Sequence, residues 1–320
     1  MDAPRRQFLR FLAASSLLAG LPACSRPPGL RIAGHVWPGY EFMFLARDEG
    51  WLDERLVNLF ETSSASASLQ LLSTGQVDAA ALTLDEMLLA REQGIPLVAV
   101  LVCNISVGAD KVISRTARKL QDLRGQRIGV ETTALGQLIL NKTLAAAGLN
   151  ADEVKVIPVD ATDSGPWHAG ELDAMITFEP LAGRLLREGG IELYSSRYFP
   201  DSIFDLLTVR ADRLKQQDAA IRHLVAGHFR ALSAFQTNPV DTAYRLARRL
   251  EVTGQQVPEL YRGLQLPDVA ANRIYLTPPS TRLAEATRTL ADLMIKNGQL
   301  HLMPDPEVLF TAAYLPPGER

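Results

Sequence analysis

Residues 30–52 read LRIAGHVWPGYEFMFLARDEGWL, and the fold turns on how they are parsed. The apolar run from Leu30 to Trp37 suits a strand, and the Pro38-Gly39 pair turns the chain. YEFMFLARDEGWL then changes to helical spacing, with Phe42, Leu45 and Ala46 on one face and Gly50 as the stop. The same switch of period recurs outward from this stretch. VNLFET (57–62), DAAALT (78–83) and PLVAVLVCN (96–104) read as strands with helical segments between them, one of which begins in the serine cluster of TSSASASLQLLSTG and stops at Gly75. A second set follows, with strands at QRIGVE (126–131), VKVIPVD (154–160), DAMITFEP (173–180) and IELYSS (191–196), and helices at LGQLILNKTLAAAG and LAGRLLREGG. FDLLTVR (204–210) reads as a strand that brings the chain back, and from Ala211 onward the pattern is helical.

Strands alternating with helices predict an α/β fold in which each lobe is a mostly parallel sheet flanked by helices. The order of segments places residues 31–110 and 205–320 in one lobe and 111–204 in the other, joined by two crossovers that leave a hinged cleft. No internal sequence repeat stands out. In such sheets ligands sit beyond the carboxyl ends of the strands, which here are the loops WPGYE (37–41), SSASAS (63–68), Thr83, NISVGAD (104–110), TTALG (132–136) and FEP (178–180).

The amino terminus carries PRRQFLRFLAASSLLAGLPACSRPPG (4–29): basic residues, an apolar core too short to span a bilayer, small residues, then a polar Pro-rich stretch. RRQFL resembles a twin-arginine export signal. LPAC resembles a lipoprotein signal-peptidase box in which Cys24 becomes the lipidated first residue of the mature chain, although Pro22 stands where that box has a small aliphatic residue. Residues 1–23 are therefore read as a signal peptide, 24–30 as a linker, and the mature protein as periplasmic and tethered to a bacterial membrane by lipid. Removing residues 1–23 takes three arginines and one aspartate from 33 basic and 36 acidic residues, leaving a formal net charge of −5, which argues against nucleic acid as a partner. Cys103 is then the one remaining cysteine, so no intramolecular disulfide is available, and its apolar setting marks it as a buried thiol.

Four segments together, RIAGHVWPGYEFMFLARDEGWL, LSTGQVDAAALTLDEMLLAREQGIPLVAV, DLRGQRIGVETTALGQLILNKTLAAAGLNADEVKVIPV and AGELDAMITFEP, resemble the solute-binding proteins of ABC importers in the nitrate, sulfonate, taurine and thiamine-pyrimidine class, from about Arg31 to Thr237. The resemblance implies a two-lobed periplasmic binding protein fold of type II that closes on a small molecule and delivers it to an ABC permease and its ATPase. It implies a monomer with no cofactor, and pocket residues in the strand-end loops. The cysteine-rich motif of the pyrimidine-synthesising enzyme branch is missing.

In those loops Trp37 and Tyr40 offer flat aromatic walls beside the Pro-Gly turn, and Trp167 a facing one. Ser64, Thr132 and Thr133 are placed to cap helices, where free N–H groups favour an anion, and Thr83 and Asn104 stand at strand ends in the same set of loops. Glu41, Asp110 and Glu179 point the other way, because a carboxylate closed in a cleft needs a donor or a cation and no arginine sits in these loops. Helix N-termini offer about half a charge each against whole charges on the carboxylates. The expected ligand is therefore an amine, amidine or polar nitrogen heterocycle ahead of a sulfonate, taurine or nitrate. Catalysis finds no support: His223 and His228 lie five apart, off the four-residue spacing of helical zinc ligands, and no nucleophile–base pair is evident. A subunit that presents the same closed form to a membrane signalling protein is the alternative to transport, and an enzyme on this fold is a third reading.

Overall fold

A computed structural model describes residues 29–277 and 281–317; residues 1–23, read above as a signal peptide, and Cys24 lie outside the described residues. In chain order the strands are β1 (Leu30–Gly34), β2 (Val57–Glu61), β3 (Ala79–Thr83), β4 (Leu97–Ser106), β5 (Lys111–Ser114), β6 (Arg127–Val130), β7 (Lys155–Pro158), β8 (Ala174–Thr177), β9 (Ile191–Ser195), β10 (Phe204–Arg210) and the two-residue β11 (Leu264–Gln265). The helices are α1 (Glu41–Asp48), α2 (Ala65–Ser73), α3 (Leu84–Glu92), α4 (Ala134–Ala147), α5 (Gly165–His168), α6 (Leu181–Arg187), α7 (Asp218–Thr237), α8 (Pro239–Leu246), α9 (Val257–Tyr261), α10 (Val269–Leu276) and α11 (Thr281–Lys296).

The strands form two sheets, ordered β11-β4-β10-β3-β1-β2 and β7-β6-β8-β5-β9. Each contains a parallel trio, β2-β1-β3 in the first and β7-β6-β8 in the second. Each is also mixed where the sequence suggests mostly parallel pairing: β10 runs antiparallel to β3 and β4, and β5 antiparallel to β8 and β9. These are the first strands after each crossing, and a chain arriving from the other sheet enters heading the opposite way. KVIS of β5 escapes a sequence reading because four residues give no alternation to detect. It is buried throughout.

The opening stretch folds as parsed, with one difference: Glu41 to Ala46 are all buried, not a single face, because α7 packs over the side of α1 turned away from the sheet. The approach is close at Gly227, where an added Cβ would lie 2.6 Å from Leu52 Cδ2 and 3.3 Å from Ala46 Cβ. Cys103 is free and buried at the centre of β4.

The two sheets share a device at their amino-terminal ends. In the first, Arg31 donates through Nε and Nη2 to the two oxygens of Asp78, both at 2.9 Å, and its Nη2 also reaches the Gly75 carbonyl at 3.1 Å. In the second, Arg127 donates to the two oxygens of Asp173 at 3.0 and 2.8 Å and to the Gly170 carbonyl at 2.9 Å. The backbone N–H of each arginine bonds the same aspartate. The segments responsible are TGQVDA (74–79) and AGELDA (169–174), and the glycine in each takes positive φ, +70° and +74°, to turn its carbonyl toward the guanidinium. An internal repeat is therefore present, reduced to a glycine, an aspartate and an alanine in register, too sparse to register as sequence similarity.

Candidate functional site

The carboxyl ends of the two sheets face each other across a cleft with about 500 Å³ of empty space, its mouth included. His35 and Trp37 enter it from the loop after β1, Ser64 and Ala65 from the start of α2, and Thr83 and Glu86 from the junction of β3 with α3. Asp110 comes from the first crossing, Ile203 and Asp205 from the second. The second sheet supplies Glu131 and Leu135 around the start of α4, Asp160 and Thr162 after β7, and Phe178 after β8.

A hydrogen-bonded chain fixes the inner wall. Trp37 Nε1 donates to Asn104 Oδ1 at 2.9 Å, Asn104 Nδ2 to Asp205 Oδ2 at 2.7 Å, and the Tyr40 hydroxyl to Asp205 Oδ1 at 2.8 Å. The Pro38-Gly39 turn exists to let this chain form: a Cβ at Gly39 would stand 1.6 Å from Asn104 Oδ1. The Trp37 ring then meets Phe178 edge-on, centroids 5.5 Å apart, from the opposite sheet.

Of the residues expected in the site, Trp37, Ser64, Thr83 and Asp110 line the cleft. Tyr40 and Asn104 stand behind that lining and act on it through Trp37 and Asp205. Thr133 caps α4 by accepting from Gly136 N at 3.0 Å, while Thr132 is exposed beside it. Trp167 is elsewhere, buried with Leu172, Met175 and Leu181 in a small satellite core, under the Arg115 guanidinium. Two acidic expectations are corrected. Glu41 is buried in a bidentate pair with Arg249, at 2.7 and 3.2 Å, and Glu179 bonds Lys111 Nζ and Gly183 N, both at 2.8 Å. Their basic partners come from other parts of the chain, so the lack of an arginine in the loops themselves did not leave them unpaired.

The cleft is nevertheless more acidic than the sequence reading proposed. Glu86, Glu131, Asp160 and Asp205 join Asp110, and no lysine or arginine is among the lining residues. Burial, then the neighbouring Asp85 charge, holds the Glu86 carboxyl well above the ordinary glutamate range. Burial lifts Asp110 to about 6, with Ser106 and Lys111 opposing it. Burial, then Asp160 and Asp85, lifts Glu131 to about 7, and burial, then Asp110, lifts Asp205 to about 8. Burial lowers His35 to about 4, so its ring is neutral at neutral pH. Two buried polar atoms on this lining, His35 Nδ1 and Asp110 Oδ2, have no hydrogen-bond partner. The arrangement offers acceptors and negative charge to whatever enters. Among the described residues no three or more His, Cys, Asp or Glu side chains converge as a metal site.

The helix N-terminus expected to attract an anion is already occupied. Asp85, in the first turn of α3, takes a bond from Thr83 Oγ1 at 2.6 Å on one oxygen and from the Leu135 backbone N–H of α4 at 2.8 Å on the other. Three of the acidic residues missed from sequence share one signal. Glu131, Asp160 and Asp205 each sit inside or directly after a segment already read as a strand, at the end facing the cleft.

A family model described as NMT1/THI5 like matches residues 37–242. A Brucella abortus (strain 2308) protein named as a binding protein is 28% identical over 225 residues, 65% of this chain and 67% of its own. The periplasmic aliphatic sulphonate binding protein SsuA from Escherichia coli has the same fold, with a TM-score of 0.73 at 17% identity, over 92% of this chain and 95% of that one. The desulfurization enzyme DSZB also shares it, with a TM-score of 0.65 at 16% identity, over 89% and 97%.

Proposed function

Because the chain belongs to the NMT1/THI5-like family, we propose that it is the solute-binding component of an ABC importer, a periplasmic receptor that closes its two sheets on a small molecule and hands it to a membrane permease. The lobes in this reading are residues 31–110 with 205–320, and 111–204. Cys24 carries the lipid that tethers the mature protein. The binding proteins among its relatives support capture over turnover, and the cleft brings acceptors without a paired nucleophile and base.

The ligand is a nitrogen cation or an N–H-rich heterocycle: an amine, an amidine or an aminated ring. The observation that supports this is the lining itself, five carboxyl groups with no basic residue among them, together with the occupation of the α4 N-terminus by Asp85. A sulfonate or nitrate there would find the carboxyl groups of Glu86, Asp110 and Glu131 and no lysine or arginine to pair with, at the position where its relatives' names point to anions. Trp37 and Phe178 supply the flat face for a ring or an alkyl stem.

A thermal-shift screen of the mature protein against amines, amidines, pyrimidines, sulfonates, nitrate and dicarboxylates tests the reading. A ligand at one hundred times its Kd adds about 2.7 kcal/mol. Hits confined to the nitrogen bases are expected, with a change in Trp37 emission. Stabilisation by sulfonates or nitrate alone overturns the ligand class, and chemical conversion of a hit overturns the binding role.

A further inference from the structure

The Asp85 carboxylate belongs to the first lobe and the Leu135 N–H to the second, so their 2.8 Å bond crosses the cleft. It is one of two direct contacts described above between the faces of the lobes; the other, Trp37 against Phe178, is an edge-on ring contact with little directional demand. Asp85 is 3% exposed and cannot trade this bond for water while the lobes are together. Its other oxygen is held by Thr83, which aims the free lone pairs at α4. An N–H in the first turn of a helix, with no partner inside its own helix, is the strongest backbone donor the second lobe can present.

We infer that Asp85 is the positioning residue of lobe closure, a clasp on the α4 N-terminus, and that the carboxyl groups around it make the clasp hold only when positive charge or protons enter the cleft. The inference rests on reading the two sheets as lobes that close on a ligand, and it adds what regulates that closure.

The groups that face Asp85 are acidic on every side. Glu86 neighbours it on α3, Glu131 comes from the loop before α4, Asp110 from the first crossing and Asp205 from β10, and each of these carboxyls is raised with Asp85 among the causes. Asp160 adds to the charge at Glu131 from the loop after β7. Arg249 reaches this neighbourhood only through its effect on His35, and is itself bound to Glu41. Closing the cleft therefore concentrates negative charge at the point where the clasp must form. Glu131 feels the cross-cleft charge directly: its carboxyl is raised to about 7 by burial first, then by Asp160 of its own lobe, with Asp85 of the facing lobe adding to both. A group whose pKa is higher in the closed form opposes closure increasingly as pH rises from the lower value, and the opposition levels off above the higher one. Acid thus does what a cationic ligand does, and both act by removing net negative charge from the cleft.

Small-angle scattering of the mature protein without any ligand, at about pH 5 and about pH 8, reads this out as the radius of gyration. A smaller radius in acid is expected for the wild type. Asp85→Ala is expected to stay expanded at both values. Asp85→Asn, which keeps an acceptor for the Leu135 N–H while removing its charge, and Glu131→Gln should both remain compact to higher pH than the wild type. Circular dichroism of each variant establishes that it is folded, and Asp85→Asn and Glu131→Gln carry the test if Asp85→Ala is not. A radius independent of pH, or variants that follow the wild-type profile, overturns the clasp. Because no ligand is present, that failure would leave the nitrogen-cation reading standing. A failed ligand screen beside a pH-driven closure would leave the clasp standing.

Discussion

At the amino ends of the strands, Asp78 and Asp173 are each gripped by an arginine through both oxygens and by a backbone N–H. At the carboxyl ends of the same sheets, Asp110, Glu131 and Asp205 are crowded together with no lysine or arginine on the lining they share. The two edges are built from the same strands and lie within one fold, so the contrast is not one of composition. Where a carboxylate serves only the architecture, the chain supplies its counter-charge and fixes it with a glycine carbonyl. Where it lines the cleft, the chain supplies no lysine or arginine, and burial raises its pKa instead. Buried acids without a cationic partner are a recurrent mark of binding sites.

The largest loss is expected at Gly39. Gly39→Ala drives a methyl group into the Asn104 amide, which is itself buried and bonded on both sides. The Trp37–Asn104–Asp205 chain must give way, with a loss of about 3 kcal/mol or more in the unfolding free energy and loss of binding by whichever ligand the screen identifies. Wild-type melting and affinity in this variant would show that the inner wall is not fixed by that chain.

At the opposite edge, Asp78→Ala leaves Arg31 without its bidentate partner and should cost about 2–3 kcal/mol, read by denaturant unfolding, with ligand affinity unchanged. Asp173→Ala is the matched control in the other lobe. Its carboxylate is more exposed, 29% against 5% for Asp78, so the cost should fall to about 1 kcal/mol. Equal losses, or a loss of affinity in either, would dissolve the distinction between the two edges.

Where the Arg and the Asp of each clamp stand could not be inferred from local sequence, but the strands they join could. LRIAGHVW and DAAALT carry enough apolar alternation or continuity to be read directly, and the loops at their ends follow. The partners of Glu41 and Glu179 lie 208 and 68 residues away, and Glu41 looked unpaired because a loop reveals only its own residues. Glu86 was hidden for a different reason: an acidic residue in the first turn of a helix is what any helix N-terminus favours, so LDE at the start of α3 reads as capping. Asp205 was concealed inside a strand, FDLLTVR, whose apolar run outweighed it. The acidic character of the cleft was legible from Asp110 alone, while the identity of most of its carboxyls needed the crossing strands to be placed.

The smallest effect is expected on titration. The folded-state values of Asp110, Glu131 and Asp205, about 6, 7 and 8, lie above those of an unfolded chain, so their contribution to stability is highest in mild acid and falls as pH rises toward 8. Asp173, held down first by its bond to Arg127, has finished titrating below that window. The ligand-free protein should therefore be more stable at about pH 5 than at about pH 8 by about 1–2 kcal/mol, opening of the cleft relieving the rest. Addition of a bound cation should flatten the slope. A stability that rises over this interval would mean that the cleft acids find partners in solution.

The position of β10 has a consequence for biosynthesis. It lies between β3 and β4, at the middle of the first sheet, yet follows the whole of the second sheet in the chain. A nascent polypeptide emerging amino terminus first can complete β5 to β9 as one continuous piece, while β3 and β4 wait on either side of a gap with bare edges. Only when residues 204–210 arrive does that gap zip shut. Until then two apolar strand edges are open to any partner, and a messenger truncated before codon 204 would yield a chain whose first half has no way to finish its own sheet.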